Sequence, residues 1–310
     1  MKDTKVIFMG TPEFSLPTLQ ALHRAFTVIL VVTQPDRPSG RGLQLTPPPV
    51  KIKAEELGLP VLQPKTMRDS AIIEKLREAA PDYIITAAYG CLLPPAVLSI
   101  PKKKPLNIHA SLLPKYRGAA PIQHAVMNGE KKTGVTVIEM DEGMDTGDII
   151  LQEAITVGED ETAGSVHDRL SVLGAGLIVR AVELINSDKC KKIKQQEFMA
   201  TYAPPISKAE TKIDWSAPAK KIHDQVRGLI PYPGAYTILN GKRVKILGGR
   251  PHTGGGSPFG TVLKADNAGI VVAAGDGTYR IETLQAAGKR IMTVREYLCG
   301  NPIQPGTICS

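Results

Sequence analysis

Asn107 and His109, two positions apart at the end of a short apolar run, are the most informative polar pair in the sequence. Side chains at positions i and i+2 of a strand lie on the same side, so this pair presents an amide N–H beside an imidazole. Two such donors can hold one carbonyl oxygen while it gains negative charge, and losing one donor typically costs roughly 3 kcal/mol of transition-state stabilisation. A single N-x-H is also compatible with two side chains that merely fix a loop.

The acidic segment 140–148 supplies the second candidate. It carries four carboxylates around Gly143 and Gly147, with a spacing that does not match a calcium-binding loop. A solvated turn between two strands is one interpretation. In the functional interpretation one carboxylate, Asp145, faces His109, orients the imidazole and stabilises its positive charge.

Segments 111–114 and 118–121, which follow His109 closely, contain small residues that allow a ligand or another backbone to approach. Tyr116 and Arg117 lie between them. Two alternatives are open for Arg117: it binds an anionic substrate, or it forms an ion pair at the surface.

The elements that must position these residues alternate between short apolar runs and longer amphipathic segments. We predict strands over 5–10, 28–33, 83–87 and 133–140, and helices over 11–25, 50–58, 69–79, 121–128 and 162–187. This alternation is typical of an α/β domain with an open, mostly parallel Rossmann-like sheet, here assigned to residues 1–187. Ligands bind such sheets at the carboxyl ends of the strands.

The remainder of the chain has a different pattern. Residues 188–207 are polar, basic at their start and proline-bearing at their end, so they predict a linker. A helix over 218–228 is followed by strand-like runs over 235–239, 243–247, 260–264, 269–274 and 278–284, with a hairpin signal at Asn240-Gly241. Several short strands in so few residues predict a small OB-like β-barrel domain over 208–310.

Charge is unevenly distributed between these two parts. Residues 208–310 hold 14 Lys and Arg against 7 Asp and Glu, which accounts for nearly all of the net charge of +8. A basic domain attached to a neutral one suggests nucleic acid as partner, with a solubilising surface as the alternative. Segment 34–49 has five prolines and no periodicity. It is either a flexible excursion or an arm in which Arg37 and Arg41 meet RNA phosphates.

Several classes of protein are disfavoured. No apolar run approaches the length needed to span a bilayer, and the N-terminal run stops at Gly10, so we expect a cytoplasmic protein without a signal peptide or membrane partner. The four cysteines form no C-x-x-C pair, and Cys91 is expected to be a small buried apolar residue. The sequence lacks the glycine pattern of a dinucleotide site and has no P-loop. Its histidines do not have the spacing of metal ligands.

Taken together, the Asn-x-His pair, the Ser-Leu-Leu-Pro after it and the D-x-G-x-D-T-G-D segment resemble the formyltransferases that use 10-formyltetrahydrofolate. The opening GTPEF, the loop TQPDRPSGRG, the run DYIITAAYGCLLP and Ile213-Asp214-Trp215-Ser216 are most similar to the branch that acts on initiator Met-tRNA. The resemblance is strong over residues 5–155 and weaker to the C-terminus. Tyr232 stands where relatives often carry tryptophan.

The resemblance implies Asn107, His109 and Asp145 as the catalytic set, without a metal. It implies a monomer that binds initiator Met-tRNA through Arg37, Arg41 and the basic barrel. The folate formyl donor would lie against Ala88, Tyr89, Gly90, Leu92, Leu93, Ser111, Leu112, Leu113, Pro114, Asp141 and Gly143.

In the implied reaction the α-amine of the esterified methionine attacks the formyl carbon directly. Asn107 and protonated His109 donate hydrogen bonds to the developing oxyanion. Asp145 steers His109 and relays a proton, through a water, from the attacking nitrogen to the departing folate nitrogen. Three alternatives remain: a formyltransferase acting on a small nucleotide amine, a hydrolase that releases formate, and a non-catalytic RNA-binding module.

Overall fold

A computed structural model describes residues 3–39, 44–254 and 256–310. The chain divides into two compact units. The first comprises residues 1–121, 133–155 and 167–204, and the second comprises 122–132, 156–166 and 205–310. Among the described residues, no helix has the length and apolar character that crossing a membrane requires.

The first unit is built on a seven-stranded sheet in the order β5-β2-β1-β6-β7-β8-β9. The strands from β5 to β7 are parallel, and β8 runs antiparallel to β7. This confirms the predicted mostly parallel sheet. The strands of this sheet are β1 (Lys5–Gly10), β2 (Thr27–Val32), β5 (Val61–Leu62), β6 (Tyr83–Ala87), β7 (Lys104–His109), β8 (Lys132–Glu139) and β9 (Ile149–Thr156). Two further strands, β3 (Arg37–Ser39) and β4 (Gln44–Thr46), pair only with each other.

Helices connect these strands. They are α1 (Leu16–Ala25), preceded by a 3-10 turn (Glu13–Ser15), α2 (Pro49–Glu56), α3 (Ser70–Glu78), α4 (Pro95–Leu98), α5 (Pro121–Met127) and α6 (Ala163–Asn186). The Asp69 side chain accepts a hydrogen bond from the Ala71 amide and caps the start of α3, which satisfies one otherwise free N–H of the first turn. Helices were predicted at all of these places except α4, which is a single short turn.

Strand β7 is the border between the parallel and antiparallel parts of the sheet. Asn107 pairs in register with Thr86 of β6 on one side and with Ile138 of β8 on the other. The middle of the sheet around it is buried: Ile84, Ile85 and Leu106 have no exposed surface. Because burial on both faces leaves the strand ends as the accessible part, the sheet presents Asn107 and His109 at a carboxyl edge.

Segment 34–49 differs from the irregular loop that its composition predicted. β3 and β4 form a short antiparallel ladder in which Arg37 pairs with Thr46 and Ser39 with Gln44. The ladder is only three residues long and contains Pro38, so it produces no alternation that a sequence pattern would reveal.

The second unit contains an antiparallel sheet in the order β10-β11-β14-β13-β12, with β15 paired to β14. Its strands are β10 (Ala235–Leu239), β11 (Lys242–Thr253), β12 (Val262–Asp266), β13 (Gly269–Ala273), β14 (Gly277–Ala286) and β15 (Met292–Thr293). Its helices are α7 (Ala219–Gly228) and α8 (Val294–Leu298), and 3-10 turns lie at Glu197–Met199, in the first unit, and Ala209–Thr211. The Asn240-Gly241 turn joins β10 to β11, as predicted.

Residues 306–310 connect the two edges of this sheet. The Val262 amide donates to the Thr307 carbonyl at 2.8 Å, beside β12. On the opposite edge, the Ile238 amide donates to the Ser310 carbonyl at 2.7 Å, and the Ser310 amide donates back at 3.1 Å. The sheet therefore closes on itself through the final segment, which confirms the predicted small barrel.

The closure of the barrel can be tested at Gly260. Its φ of +80° is unfavourable for other residues, and an added Cβ would lie 2.4 Å from the carbonyl oxygen of Cys309 in the closing segment. We expect Gly260→Ala to lower the denaturant midpoint, measured by circular dichroism. Gly241→Ala is the matched control, because Gly241 also has a positive φ (+72°) but open space around an added Cβ. Equal losses in both variants would contradict a close approach of the closing segment.

Candidate active site

Asn107, His109 and Asp145 meet at one point. The Asn107 amide nitrogen lies 3.3 Å from Oδ1 of Asp145, and Nδ1 of His109 lies 3.5 Å from Oδ2. The His109 side chain is 6% exposed and that of Asp145 is 14% exposed, so the pair is close to the surface but largely shielded from water. The structure thus brings together the three side chains that the sequence singled out from two distant segments.

The second imidazole nitrogen has a fixed role. Nε2 of His109 lies 2.8 Å from the carbonyl oxygen of Tyr116. Because a carbonyl only accepts, Nε2 must carry a proton. The other nitrogen, Nδ1, faces the carboxylate at a distance that is long for a hydrogen bond. A proton on Nδ1 is therefore the one N–H of this ring that can also be donated to a ligand.

The orientation of the Asn107 amide is set by Thr86. The Thr86 hydroxyl, buried between β6 and β7, donates to Oδ1 of Asn107 at 2.7 Å. With its oxygen held in this way, the amide directs Nδ2 at Asp145, and the second N–H of Nδ2 is available to another acceptor. Thr86 was not singled out from the sequence, although one threonine within the apolar run 83–87 was a usable signal.

Asp145 itself sits in an unusual backbone conformation. Its φ is +56°, in the left-handed region that few residues other than glycine, asparagine and aspartate adopt. Its Oδ2 accepts a hydrogen bond from the Gly118 amide at 2.9 Å. The carboxylate is thus held by one backbone N–H while it faces the amide and the imidazole, and this arrangement fixes where its charge lies.

Arg117 forms one of its two expected contacts, an ion pair, but from a buried position. Its side chain has no exposed surface, and its guanidinium forms a 2.8 Å ion pair with Glu197. It also donates to Oε1 of Gln195 at 3.2 Å from Nε and at 2.9 Å from the terminal nitrogen. Arg117 is therefore not free to bind an anionic substrate, because its donors are used within the protein. The other expectation, an ion pair, is met with Glu197, whose side chain is 71% exposed, although the guanidinium itself is buried.

The residues predicted to contact folate lie on two stretches. Residues 88–93 follow β6, and the Tyr89 carbonyl accepts from the Thr11 hydroxyl at 2.9 Å, which joins this turn to the end of β1. Leu92 is exposed, whereas Leu93 packs against the core. Ala88 and Gly90 both have positive φ angles, so the turn folds sharply at the carboxyl edge of the sheet.

The second stretch, residues 111–114, forms a tight turn after β7. The buried Ser111 hydroxyl donates to the Lys115 carbonyl at 2.6 Å, and the Ser111 carbonyl accepts from Thr136. Leu113 is buried, with Ile138 and Ile149 in the same small cluster. In the acidic loop, Asp141 accepts from the Gly143 amide and from the Thr146 hydroxyl.

The basic arm is only partly described. Arg37 is exposed and donates to the Gln34 side chain at 3.1 Å, whereas Arg41 lies outside the described residues. The base of the arm is anchored by Asp36, which accepts two hydrogen bonds from Lys51 and one from Gln63. The bonds from Lys51, with that from Gln63, hold the pKa of Asp36 below its usual value.

Cys91 corrects another expectation. It is exposed, and its sulfur lies 3.0 Å from the Gln34 amide nitrogen, so it is not the buried apolar residue that its small size predicted. In the part of the chain that the structure describes, no three His, Cys, Asp or Glu side chains are grouped to hold a metal ion.

The site combines two hydrogen-bond donors, from Asn107 and His109, with the carboxylate of Asp145. It lies at the carboxyl edge of a mostly parallel sheet. This combination is typical of an enzyme of the acyl-transfer class. Two family models match the chain: formyl transferase over residues 4–182 and formyl transferase, C-terminal domain, over residues 205–302. The chain belongs to the formyl transferase family.

Named relatives agree with this family over nearly their whole length. The methionyl-tRNA formyltransferase of Moorella thermoacetica is 47% identical over 308 residues, which cover 98% of both chains. That of Geobacter metallireducens is 45% identical over 307 residues, covering 99% of this chain and 98% of its own. Among solved structures, an N-formyltransferase from Helicobacter canadensis has the same fold, with a TM-score of 0.68, 18% identity and coverage of 93% of this chain and 100% of its own.

The Arg117–Glu197 pair gives a pH prediction. The guanidinium hydrogen bond holds the pKa of Glu197 below its usual value. The ionised carboxylate therefore stabilises the fold above the ordinary glutamate pKa of about 4.3, and this contribution is lost as the pH falls through the lowered folded value. We expect Glu197→Gln to lower Tm at pH 7, because the buried Arg117 loses its counter-charge. The difference in Tm between Glu197→Gln and the unmodified protein should become smaller as the pH falls toward 3.

Calorimetry between pH 3 and pH 7 measures this effect. Glu55→Gln, at an exposed glutamate of α2, is the matched control and should leave Tm nearly unchanged. A Tm difference for Glu197→Gln that stayed constant over this range would contradict the role of the ionised carboxylate.

Proposed function

We propose that this enzyme transfers the formyl group of 10-formyltetrahydrofolate to the α-amino group of methionine on initiator tRNA. Family membership and the names of the relatives support the reaction class and the acceptor. The observation that carries the proposal is the meeting of Asn107, His109 and Asp145 within 3.5 Å. We further propose that the protein acts in the cytoplasm, since formylation of the initiator belongs to protein synthesis. We also propose that it acts as a monomer.

In the proposed first step the neutral methionine amine attacks the formyl carbon, and a C–N bond forms. The carbonyl oxygen becomes an oxyanion and accepts from the free N–H of Asn107 and from Nδ1–H of His109. Both donors are already oriented, Asn107 by the Thr86 hydroxyl and His109 by the Tyr116 carbonyl. Preorganised donors of this kind stabilise a transition state without reorganisation at the moment of reaction.

In the second step the bond between the formyl carbon and the folate nitrogen breaks. The attacking nitrogen loses a proton, and the departing folate nitrogen gains one, so the products are formyl-Met-tRNA and tetrahydrofolate. Asp145 supports this transfer as the nearest base, through a bridging water, and its negative charge balances the imidazolium of His109. The transfer step needs no metal and no covalent enzyme intermediate, because the formyl donor is already activated.

The acceptor is inferred from charge as well as from the relatives. A small nucleotide amine, or water in a hydrolase, would require neither the basic composition of residues 208–310 nor the arginines of segment 34–49. We propose that the barrel and the arm bind tRNA, with Arg37 and Arg41 at the acceptor stem. We also propose that folate lies along the turns 88–93 and 111–114 and against Asp141 and Gly143.

The reaction is tested directly with purified protein, 10-formyltetrahydrofolate and initiator tRNA charged with methionine. Formyl-methionine on the RNA, detected after deacylation by mass spectrometry, is the expected product. Release of formate at the same rate with and without charged tRNA would instead identify a hydrolase. Formylation of a nucleotide amine in preference to Met-tRNA would identify the other alternative.

Asp145→Asn tests the role of the carboxylate. The change keeps the size of the side chain but removes its charge and its ability to accept a proton, so kcat should fall by at least about 100-fold. KM for Met-tRNA should change little, because Asp145 is not expected to contact the RNA. Glu142→Gln, at an exposed carboxylate of the same loop, is the control. Turnover of Asp145→Asn within a few-fold of the unmodified enzyme would exclude the assigned role.

The arm is tested by the double variant Arg37→Ala/Arg41→Ala. Each phosphate contact contributes about one unit to the slope of log affinity against log salt, so the double variant should lower kcat/KM for Met-tRNA and reduce this slope. Arg24→Ala/Arg68→Ala, two exposed arginines elsewhere on the first unit, makes the same change in charge and serves as the control. Identical salt dependence in both double variants would count against the arm.

A further inference from the structure

Gln195 lies between the buried Arg117 and the loop that carries Asp145. It belongs to the segment after α6 that was predicted to be a linker, but it is half-buried and uses both ends of its side-chain amide. Its oxygen accepts two hydrogen bonds from Arg117, and its nitrogen donates to the carbonyl oxygen of Asp145 at 2.7 Å and to that of Gly147 at 2.8 Å.

The direction of this amide is unambiguous. A guanidinium can only donate, and backbone carbonyls can only accept, so Oε1 must face Arg117 and Nε2 must face the loop. Arg117 is itself held by Glu197, through two hydrogen bonds of 2.8 and 2.9 Å. The guanidinium is therefore a fixed template, and Gln195 transmits its orientation to the loop.

The loop needs such support because its conformation is unfavourable. Asp145 has a φ of +56°, and a side chain at Gly147 would meet the Glu139 carbonyl oxygen, which lies 1.7 Å from an added Cβ. Gln195 bonds the carbonyls on either side of Thr146, so it ties the two ends of this tight stretch together. Without these bonds, both carbonyls would have to find other partners, and the φ of Asp145 would be free to relax.

The backbone around Arg117 reinforces the arrangement. The Arg117 amide donates to the Thr201 carbonyl at 2.8 Å, and the Ala203 amide donates to the Arg117 carbonyl at 2.7 Å. Residues 195–203 thus pack along the stretch that supplies Tyr116 and Gly118. These two residues contribute the carbonyl that fixes His109 and the amide that binds Asp145.

We propose that Gln195, oriented by Arg117, is a positioning residue that holds the Asp145 carboxylate against Asn107 and His109. It touches neither substrate, and it acts through the backbone carbonyls of Asp145 and Gly147. The expected effect of Gln195 on kcat rests on the proposed function, whereas its effect on the geometry of the loop that carries Asp145 does not.

Gln195→Glu is the sharpest variant. The carboxylate has the same size and still accepts from Arg117, but it cannot donate, and it would face two carbonyl oxygens. We expect kcat for Met-tRNA formylation to fall about 10- to 100-fold, the range for a misplaced catalytic group, with KM for either substrate within about threefold. Gln196→Glu is the control, since it makes the same change at the adjacent exposed position and should keep the original kcat.

A double-mutant cycle separates positioning from general damage. If Gln195 acts through Asp145, adding Gln195→Glu to Asp145→Asn should cause little further loss of kcat, because the group that it positions is already disabled. The proposal is overturned if Gln195→Glu lowers kcat equally in both backgrounds. It is also overturned if the single variant retains kcat within twofold.

A measurement without substrate keeps the test independent of the reaction. The Gly118 amide donates to the Asp145 carboxylate, so its hydrogen exchange, followed by NMR in the unliganded full-length protein, reports whether that carboxylate is in place. We expect exchange at Gly118 to be at least tenfold faster in Gln195→Glu than in Gln196→Glu. Unchanged exchange in a folded Gln195→Glu protein refutes the positioning role. Should Gln195→Glu fail to fold, Gln195→Met, which is neutral and of similar length, takes its place in each comparison.

Discussion

The carboxylate of Asp145 is the constraint on which the arrangement of this site depends. Its two oxygens face an amide from β7, an imidazole from β7 and a backbone N–H from the turn that follows. One side chain thereby fixes the relative positions of two stretches that are far apart in sequence. The negative charge attracts the surrounding donors and so orders them. In the proposed reaction the same carboxylate accepts the proton that leaves the attacking nitrogen.

The imidazole illustrates how backbone atoms complete this design. The Tyr116 carbonyl assigns one nitrogen of His109 permanently, so the chemistry of the ring is confined to the nitrogen beside Asp145. In the same way, the Thr86 hydroxyl confines the chemistry of Asn107 to its nitrogen. Neither supporting group is among the residues proposed to contact the reactants. Their effect is to remove the alternative orientations that an amide and an imidazole would otherwise sample.

The sequence predicted well those strands and helices that a local residue pattern determines. β1 and β6 were located to the residue, because runs of Val, Ile and Phe bounded by Gly, Pro or Asp are typical of buried strands. It failed where partners are distant. For Arg117 a ligand contact and a surface ion pair were both open. Neither the burial of its guanidinium nor its partners, 78 and 80 positions away, follow from any spacing rule. Cys91 was expected inside and is exposed, since residue type alone does not show where a turn places its side chain. Gln195 carried no signal, because a glutamine in a polar run resembles any solvated residue.

The closed barrel also bears on how the chain is made. Its first strand bonds to its final segment, with the Thr237 hydroxyl and the Ser310 carbonyl 73 positions apart, so the ring is completed by its most distant pairing. During synthesis on the ribosome, β10 emerges long before this partner exists. Until then, the end of β10 around Ile238 lacks the partners that Ser310 provides, and unpaired strand edges are sites where chains associate. Closure of the barrel by its last-made segment therefore leaves this end of β10 accessible until that segment docks.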